Sequence, residues 1–351
     1  MAGGIGSRFW PMSRTGHPKQ FLDILNTGRT LIQATYDRFV KFIDADKIFV
    51  VTSEQYRELV SKQLPELPAD NILCEPSRKN TAPCIAYISY KLYQQNSNAN
   101  LICAPADHLI FNEEGFKETC RDALKFTAHI KALVTLGIKP THPNTGYGYI
   151  QHEPIAVSEN IFKVKTFTEK PDTTLAKTFV ASGDFLWNAG IFVWQVKNII
   201  KAFEKHLPEM HEVFDAEKSN FNTKKEKQAI EKIYPQCVNI SIDYGIMEKA
   251  DNVYLIPATF EWSDLGTWAS AYDNLEKDYL ANAVIGNNVV VIDATKNIVH
   301  ADNKKLVLLQ GLDDFIIVDT KDVLLICKKE NEQEIKEYVA EIKRSKGDKF
   351  L

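Results

Sequence analysis

Gly3, Gly4, Gly6 and Ser7 stand just ahead of Arg8, Arg14 and Lys19 in the stretch GGIGSRFWPMSRTGHPKQF, residues 3–21. Glycine admits backbone conformations closed to other residues and lets main-chain N–H groups approach an anion closely. Cations fixed downstream of such a turn would neutralise charge on a departing group, a combination suited to a polyphosphate. Two other phosphate loops are excluded by spacing. The third glycine of the dinucleotide fingerprint falls at Phe9, whose bulk prevents close helix-to-strand packing, and no G-x-x-x-x-G-K-[ST] run occurs. Read without context, the same residues also describe a surface turn with solvated cations.

Other stretches carry candidate groups beside plainer readings. In CEPSRKNTAPCIAY, Asn80 or Thr81 caps a helix with Pro83 in its first turn, a well-made helix start in its own right. APADHLI ends an apolar strand on Asp107 and His108, and EWSDLGTW supplies Asp264. Two distant aspartates could share one magnesium ion, which takes one or two carboxylates plus phosphate oxygens, although such an Asp is commonly a helix cap. His108 is read as structural. FTEKP pairs Glu169 with Lys170, and Pro171 favours an extended backbone at Lys170. SIDYGIMEK opens with a Ser241 cap and places Asp243 in the first helical turn, where it could merely complement the dipole.

These groups need a scaffold. Residues 30–137 alternate amphipathic helices with short apolar strands, which implies βαβ units around a mostly parallel sheet, with ligands at the strands' carboxyl ends. From 147 to 275 the pattern loosens into GYGYIQ, FKVKTFTEKP and FLWNAGIFVWQ, a region suited to the second half of a cleft. Beyond 283, short β-branched strands alternate with Asn, Asp, Lys and Gly turns, hinting at β-helix rungs, and a charged helix over 331–345 closes the chain. The expected division is 1–278 and 279–351.

The 351 residues, 44% hydrophobic, can bury a substantial core. A net charge of −4 from 42 basic and 46 acidic residues provides no general field for nucleic acid or an anionic membrane. Cys74, Cys84, Cys103, Cys120, Cys237 and Cys327 show no CxxC or zinc spacing and read as reduced thiols. With no signal peptide and no long apolar span, a soluble cytoplasmic protein is expected.

The opening stretch, with its WPMSR and PKQF, resembles the signature of sugar-1-phosphate nucleotidyltransferases, and specifically mannose-1-phosphate guanylyltransferases, over nearly the whole chain. The resemblance implies an α/β fold: a Rossmann-like nucleotidyltransferase domain with a mixed, mostly parallel sheet, plus a small β-helix-like C-terminal domain. It implies transfer of GMP from GTP to mannose 1-phosphate, giving GDP-mannose and pyrophosphate with Mg²⁺. Gly3, Gly4, Gly6, Ser7, Arg14, Asn80, Thr81 and Pro83 would then bind the nucleotide, and Asp107 and Asp264 the metal. Arg8 and Lys19 would act on the leaving phosphates and Lys170 on the sugar phosphate. Gly148, Glu169, Asn188 and Asp243 would read the sugar. Lys79 stands where the family usually has Arg, with Arg78 before it, and Ala189 where it more often has Ser.

Two alternatives stay open: the same chemistry on a heptose or glucose 1-phosphate, or a non-catalytic regulatory subunit that binds the sugar nucleotide. The family feeds the glycine loop from a central strand, whereas only Met1 and Ala2 precede it here, so the chain is expected to begin several residues late. Many relatives carry a further isomerase domain after the tail. No isomerase activity is expected of this chain, and the tail resembles the region through which relatives pack as dimers, implying a homodimer, although its helix could equally fold back on its own chain.

Overall fold

The computed structural model describes residues 1–302 and 304–351. The expected alternation is present: α1 (Leu31–Val40), β1 (Val50–Ser53), α2 (Arg57–Gln63), β2 (Ile72–Glu75), α3 (Thr81–Gln95), β3 (Asn100–Cys103), β4 (Leu109–Ile110), α4 (Glu113–His129) and β5 (Leu133–Ile138). The middle supplies β6 (Gly148–Ser158), β7 (Ile161–Glu169), α5 (Thr173–Ser182), β8 (Phe185–Gln195), α6 (Val196–His206), α7 (Pro208–Ala216), α8 (Glu226–Ile233), β9 (Val253–Pro257), β10 (Trp262–Ser263) and α9 (Trp268–Asp273). The tail adds β11 (Ala283–Ile285), β12 (Val289–Ile292), β13 (Ile298–Ala301), β14 (Val307–Gln310), β15 (Phe315–Asp319), β16 (Leu324–Lys328) and α10 (Ile335–Lys346).

Local chemistry sets these bounds. At α4 the Asn112 side chain accepts the Gly115 N–H at 3.0 Å, and Glu113 and Glu114 occupy the first turn, where the helix dipole favours acids. Phe116, Thr119, Cys120, Ala123 and Thr127 then form one buried stripe at helical spacing.

Two compact units arise, and neither follows the linear order of the chain. The first comprises Met1–Gly3, Phe42–Pro105 and Ile110–Trp262; the second comprises Gly4–Lys41, Ala106–Leu109 and Ser263–Leu351.

The first unit is built on a six-stranded sheet of order β3-β8-β5-β9-β7-β6. β5 and β9 pair in parallel, while β8 lies between β3 and β5 and runs antiparallel to both. The sheet is mixed, with fewer parallel pairs than the βαβ alternation implied, because a strand delivered from the middle of the chain separates two strands that would otherwise be neighbours. Phe192 and Trp194 of β8 are buried in its core with Leu133, Val253 and Leu255. β1 and β2 form a separate parallel pair. Where an incoming central strand was expected, the Ala2 N–H donates to the Val51 carbonyl at 2.8 Å and the Met1 ammonium to the Ala104 carbonyl at 2.8 Å.

In the second unit, β11, β13 and β15 stack in parallel, β12 pairs in parallel with β14, and β16 closes antiparallel on β15. Buried asparagines tie successive rungs. Asn297 Nδ2 donates to Asn282 Oδ1 and to the Leu312 carbonyl, both at 3.0 Å, and its Oδ1 accepts the Phe315 N–H at 2.9 Å. The apolar face of the rungs, with Ile298, Ile316 and Val318, shares one core with Phe9, Trp10, Leu265 and Trp268. The last helix starts later than expected, at Ile335, because residues 329–334 wind into a 3-10 turn. Its Ile335, Tyr338, Val339 and Ile342 repeat at helical spacing and pack on that same core. The described cysteines are all free, and no helix of the described residues is long and apolar enough to cross a membrane.

Candidate active site

The second unit holds the glycine loop from Gly4 onward, while Gly3 belongs to the first. Gly6 lies at φ 69°, and a Cβ there would fall 2.4 Å from the Lys19 Cβ, so both the backbone and the passing lysine stem require glycine. The loop's carbonyls are spoken for. Gln20 Nε2 donates to the Gly4 carbonyl at 3.1 Å, the Lys19 N–H and the Ser13 hydroxyl both donate to the Ile5 carbonyl, and the Phe9 N–H donates to the Gly6 carbonyl at 3.0 Å. The N–H groups of Gly4, Ile5, Gly6, Ser7 and Arg8, by contrast, donate to nothing among the described residues. Five consecutive free donors around one left-handed glycine are suited to an anion.

Lys19 is 4% exposed, and its Nζ lies 2.9 Å from Asp107 Oδ2 and donates to the Asp264 carbonyl at 2.7 Å. The two distant aspartates therefore meet at one ammonium. Burial pushes the Asp107 carboxyl up, but Lys19 outweighs it and holds the group below the usual carboxylate range. His108 Nε2 lies 4.0 Å from Asp107 Oδ1, and burial, only partly offset by Asp107 and Asp264, lowers its pKa, which favours the neutral ring.

Asp264 sits on a turn in which Leu265 takes φ 45° and the Gly266 N–H donates to Asp264 Oδ1 at 3.0 Å. A Cβ at Gly266 would stand 2.6 Å from Asp264 Oδ2. Sequence reasoning passed over Gly266, although the SDLG spacing could have pointed to it. Among the described residues no cluster of three His, Cys, Asp or Glu could hold a metal unaided. The two half-exposed carboxylates suit an ion that completes its shell with phosphate and water oxygens.

Of the loop cations, Arg8 buries its Nε without a partner. Arg14, read as nucleotide-binding, is committed elsewhere: its guanidinium grips Asp322 at 2.6 and 2.8 Å, and its Nε donates to the Pro11 carbonyl at 2.9 Å.

The first unit gathers the expected sugar residues. Gly148 faces Glu169 across β6 and β7, and a Cβ on Gly148 would fall 2.4 Å from Glu169 Oε2. Asn188 Nδ2 donates to Asp243 Oδ1 at 2.8 Å, while Asn188 Oδ1 accepts the Thr135 hydroxyl at 2.9 Å, which orients the amide. Asp243 begins a π-helical turn, Asp243–Met247, an irregularity frequent at functional sites. Glu169 Oε1 pairs with Lys170 Nζ, but its Oε2 is buried without a partner. Burial first, then the Asp243 charge, pushes the Glu169 carboxyl up to about 7, and burial also raises Asp243. On Lys170 burial works downward, but Glu169 and Asp243 prevail and raise its pKa.

Lys170 corrects one expectation. Its φ is 48°, in the left-handed region rather than extended. The local demand of Pro171 is overridden by the Lys170 N–H donating to the Tyr147 carbonyl at 3.2 Å and by the Glu169 N–H donating to Glu248 Oε1 at 2.7 Å. Glu248 was not foreseen, since nothing in the sequence marks it as a clamp.

Asn80 caps α3 through the Thr81 N–H at 2.9 Å and takes φ 68°. Thr81 Oγ1 accepts the Ile242 N–H at 2.9 Å, tying this segment to the residue before Asp243, and Pro83 is buried in the helix. Arg78 rests on Tyr56, donating to its hydroxyl at 2.5 Å.

Comparison with known proteins places the chain in a family. A family model described as nucleotidyl transferase matches residues 1–280, and one described as the mannoseP isomerase/GMP-like beta-helix domain matches residues 287–342. The mannose-1-phosphate guanylyltransferase RfbM of Salmonella typhimurium is 33% identical over 100% of this chain and 73% of that protein. The mannose-1-phosphate guanylyltransferase of Salmonella montevideo is 36% identical over 98% of this chain and 73% of its own length. A solved structure from Thermus thermophilus, described as a mannose-1-phosphate geranyltransferase, matches with TM-score 0.87 and 28% identity over 98% of each chain.

Proposed function

This chain belongs to the nucleotidyl transferase family, and from that premise we propose that it transfers GMP from GTP to α-D-mannose 1-phosphate, releasing pyrophosphate and forming GDP-mannose. The row of unclaimed N–H groups from Gly4 to Arg8 carries the phosphate half of this reading. The names of the relatives support the sugar and the base.

In this mechanism the phosphate oxygen of the sugar attacks the α-phosphorus in line, the bond to the β-phosphate oxygen breaks, and pyrophosphate leaves with that electron pair. No covalent enzyme intermediate forms, so the protein contributes positioning and charge neutralisation. The glycine-loop donors hold the triphosphate. Arg8 and Lys19 meet the charge that builds on the leaving group, and Lys170 orients the attacking phosphate. Glu169, Asn188 and Asp243 bind sugar hydroxyls, with Gly148 leaving room for the ring. Asp107 and Asp264 would hold Mg²⁺, which supplies neutralisation of phosphate oxygens when bound.

The free cysteines fit the reducing cytoplasm. The working assembly is a homodimer, supported by exposed apolar side chains on neighbouring rungs, Val290 opposite Leu308 and, nearby, Ile292 and Leu306.

Pyrophosphate release measured over a panel of nucleotides and sugar phosphates tests the reading, with GTP and mannose 1-phosphate expected to be turned over fastest. Turnover with UTP but not GTP would remove the guanine assignment. Asp264→Asn separates an enzyme from a passive binder: kcat should fall at least about a hundredfold, the scale of lost preorganised charge, whereas a binder would keep its affinity for GDP-mannose.

A further inference from the structure

Two cations of the second unit have no acid to answer them. Arg8 makes no ion pair or hydrogen bond among the described residues, and neither does Lys336. Neighbouring cations behave otherwise: Lys19 is paired with Asp107, Arg14 with Asp322, Lys305 with Asp319 and Lys329 with Asp314.

Their placement follows from packing. α10 lies on the 3-10 turn Ser7–Phe9, and Ile335 and Phe9, both 0% exposed, share one apolar cluster. The residue before Phe9 is Arg8 and the residue after Ile335 is Lys336, so burying the apolar pair draws the two charges together. The Lys336 ammonium is held below its usual range, first by burial and then by Arg8. Indole Nε1 of Trp10 donates to the Phe350 carbonyl at 2.8 Å, pinning the end of the chain to the same loop.

Juxtaposed like charges without a counterion cost stability, and a bound anion removes that cost. Arg8 is also the last residue in the row of unclaimed N–H groups from Gly4 to Arg8, and α10 packs on the turn that contains it. We propose that Lys336, on the C-terminal helix, is a further phosphate-binding residue that joins Arg8 in holding the pyrophosphate end of the nucleotide. The assignment of pyrophosphate as the anion rests on the nucleotidyl-transfer reading. The last helix is then part of the site that binds the leaving group as well as part of the tail's core.

The experiment titrates inorganic pyrophosphate into the full chain by calorimetry for wild type, Lys336→Gln and Lys336→Arg, alongside thermal melts and nucleotide kinetics. Loss of one charge-assisted contact predicts about tenfold weaker pyrophosphate binding for Lys336→Gln and a comparable rise in nucleotide KM with a smaller change in kcat. Lys336→Arg should restore binding, and the melting temperature of Lys336→Gln should hold or rise, since a repulsion is relieved. Wild-type affinity in Lys336→Gln overturns the proposal, as does weak binding in both variants accompanied by a lowered melting temperature. If pyrophosphate binds through Lys336 but no nucleotide and sugar phosphate pair is turned over, the anion site stands and the transferase reading falls.

Discussion

Gly148 and Glu169 oppose each other so closely that a methyl group on the glycine would sit 2.4 Å from a carboxylate oxygen. Gly148→Ala should therefore displace Glu169 from the sugar side. We expect at least a tenfold rise in the KM for sugar phosphate, with a stability loss of about 1–3 kcal/mol, the usual cost of overpacking; steady-state kinetics and thermal melts check both. Glu169 also imposes a pH dependence. Its carboxyl is pushed up to about 7 by burial and by Asp243, so the folded chain holds a proton that the unfolded chain releases. The stability this contributes is complete below the ordinary carboxyl range and is lost as pH rises through about 7. Melts of Glu169→Gln at pH 5 and pH 8 should show a smaller difference than wild type. An unchanged difference would shift the effect to Glu75, whose carboxyl burial also pushes up to about 7 despite its bond to Tyr234.

Among the elements, the rungs of the tail are tied together by a buried asparagine. Asn297 is 0% exposed and satisfies Asn282 Oδ1, the Leu312 carbonyl and the Phe315 N–H. Asn297→Ala leaves the buried Phe315 N–H without its acceptor, at about 1–3 kcal/mol, while Asn282 Oδ1 keeps the Asn297 N–H and the Leu312 carbonyl keeps the Thr295 N–H. Urea unfolding should register a loss of about 1–3 kcal/mol, and Asn297→Leu should not recover it, because an apolar side chain cannot accept the Phe315 N–H. The same rungs, with Ile298 and Ile316, form the core against which Phe9 and Trp10 pack. The damage should therefore reach the nucleotide KM as well.

For the whole molecule, the small net charge of −4 leaves association to local patches. The exposed row on β12 and β14, with Leu308 at 59% exposure, is the apolar patch on which the proposed dimer rests. Leu308→Lys should convert the assembly to monomers, read by light scattering, with little change in melting temperature at concentrations where the wild type is already dissociated. A wild type that is monomeric at every concentration removes the dimer.

Much of this protein is legible in the order of its residues. The glycine loop, the Asn80 cap, the helix and strand alternation and the β-branched rungs follow from backbone conformation, capping and periodicity, which act over a few residues. The family resemblance pointed to Asp107 and Asp264, which the fold brings to Lys19, and to Gly148, Glu169, Asn188 and Asp243, which it gathers in the first unit. Long-range contact decided the rest. β8 slots between β3 and β5 because its buried Phe192 and Trp194 belong in that core, Lys170 is forced to positive φ by Tyr147 and Glu248, and Arg14 is claimed by Asp322. No local rule foretells that Ile335 will seek Phe9 and carry Lys336 to Arg8. Those outcomes depend on which apolar faces find each other in space, and a residue's own neighbours in the chain do not contain that information.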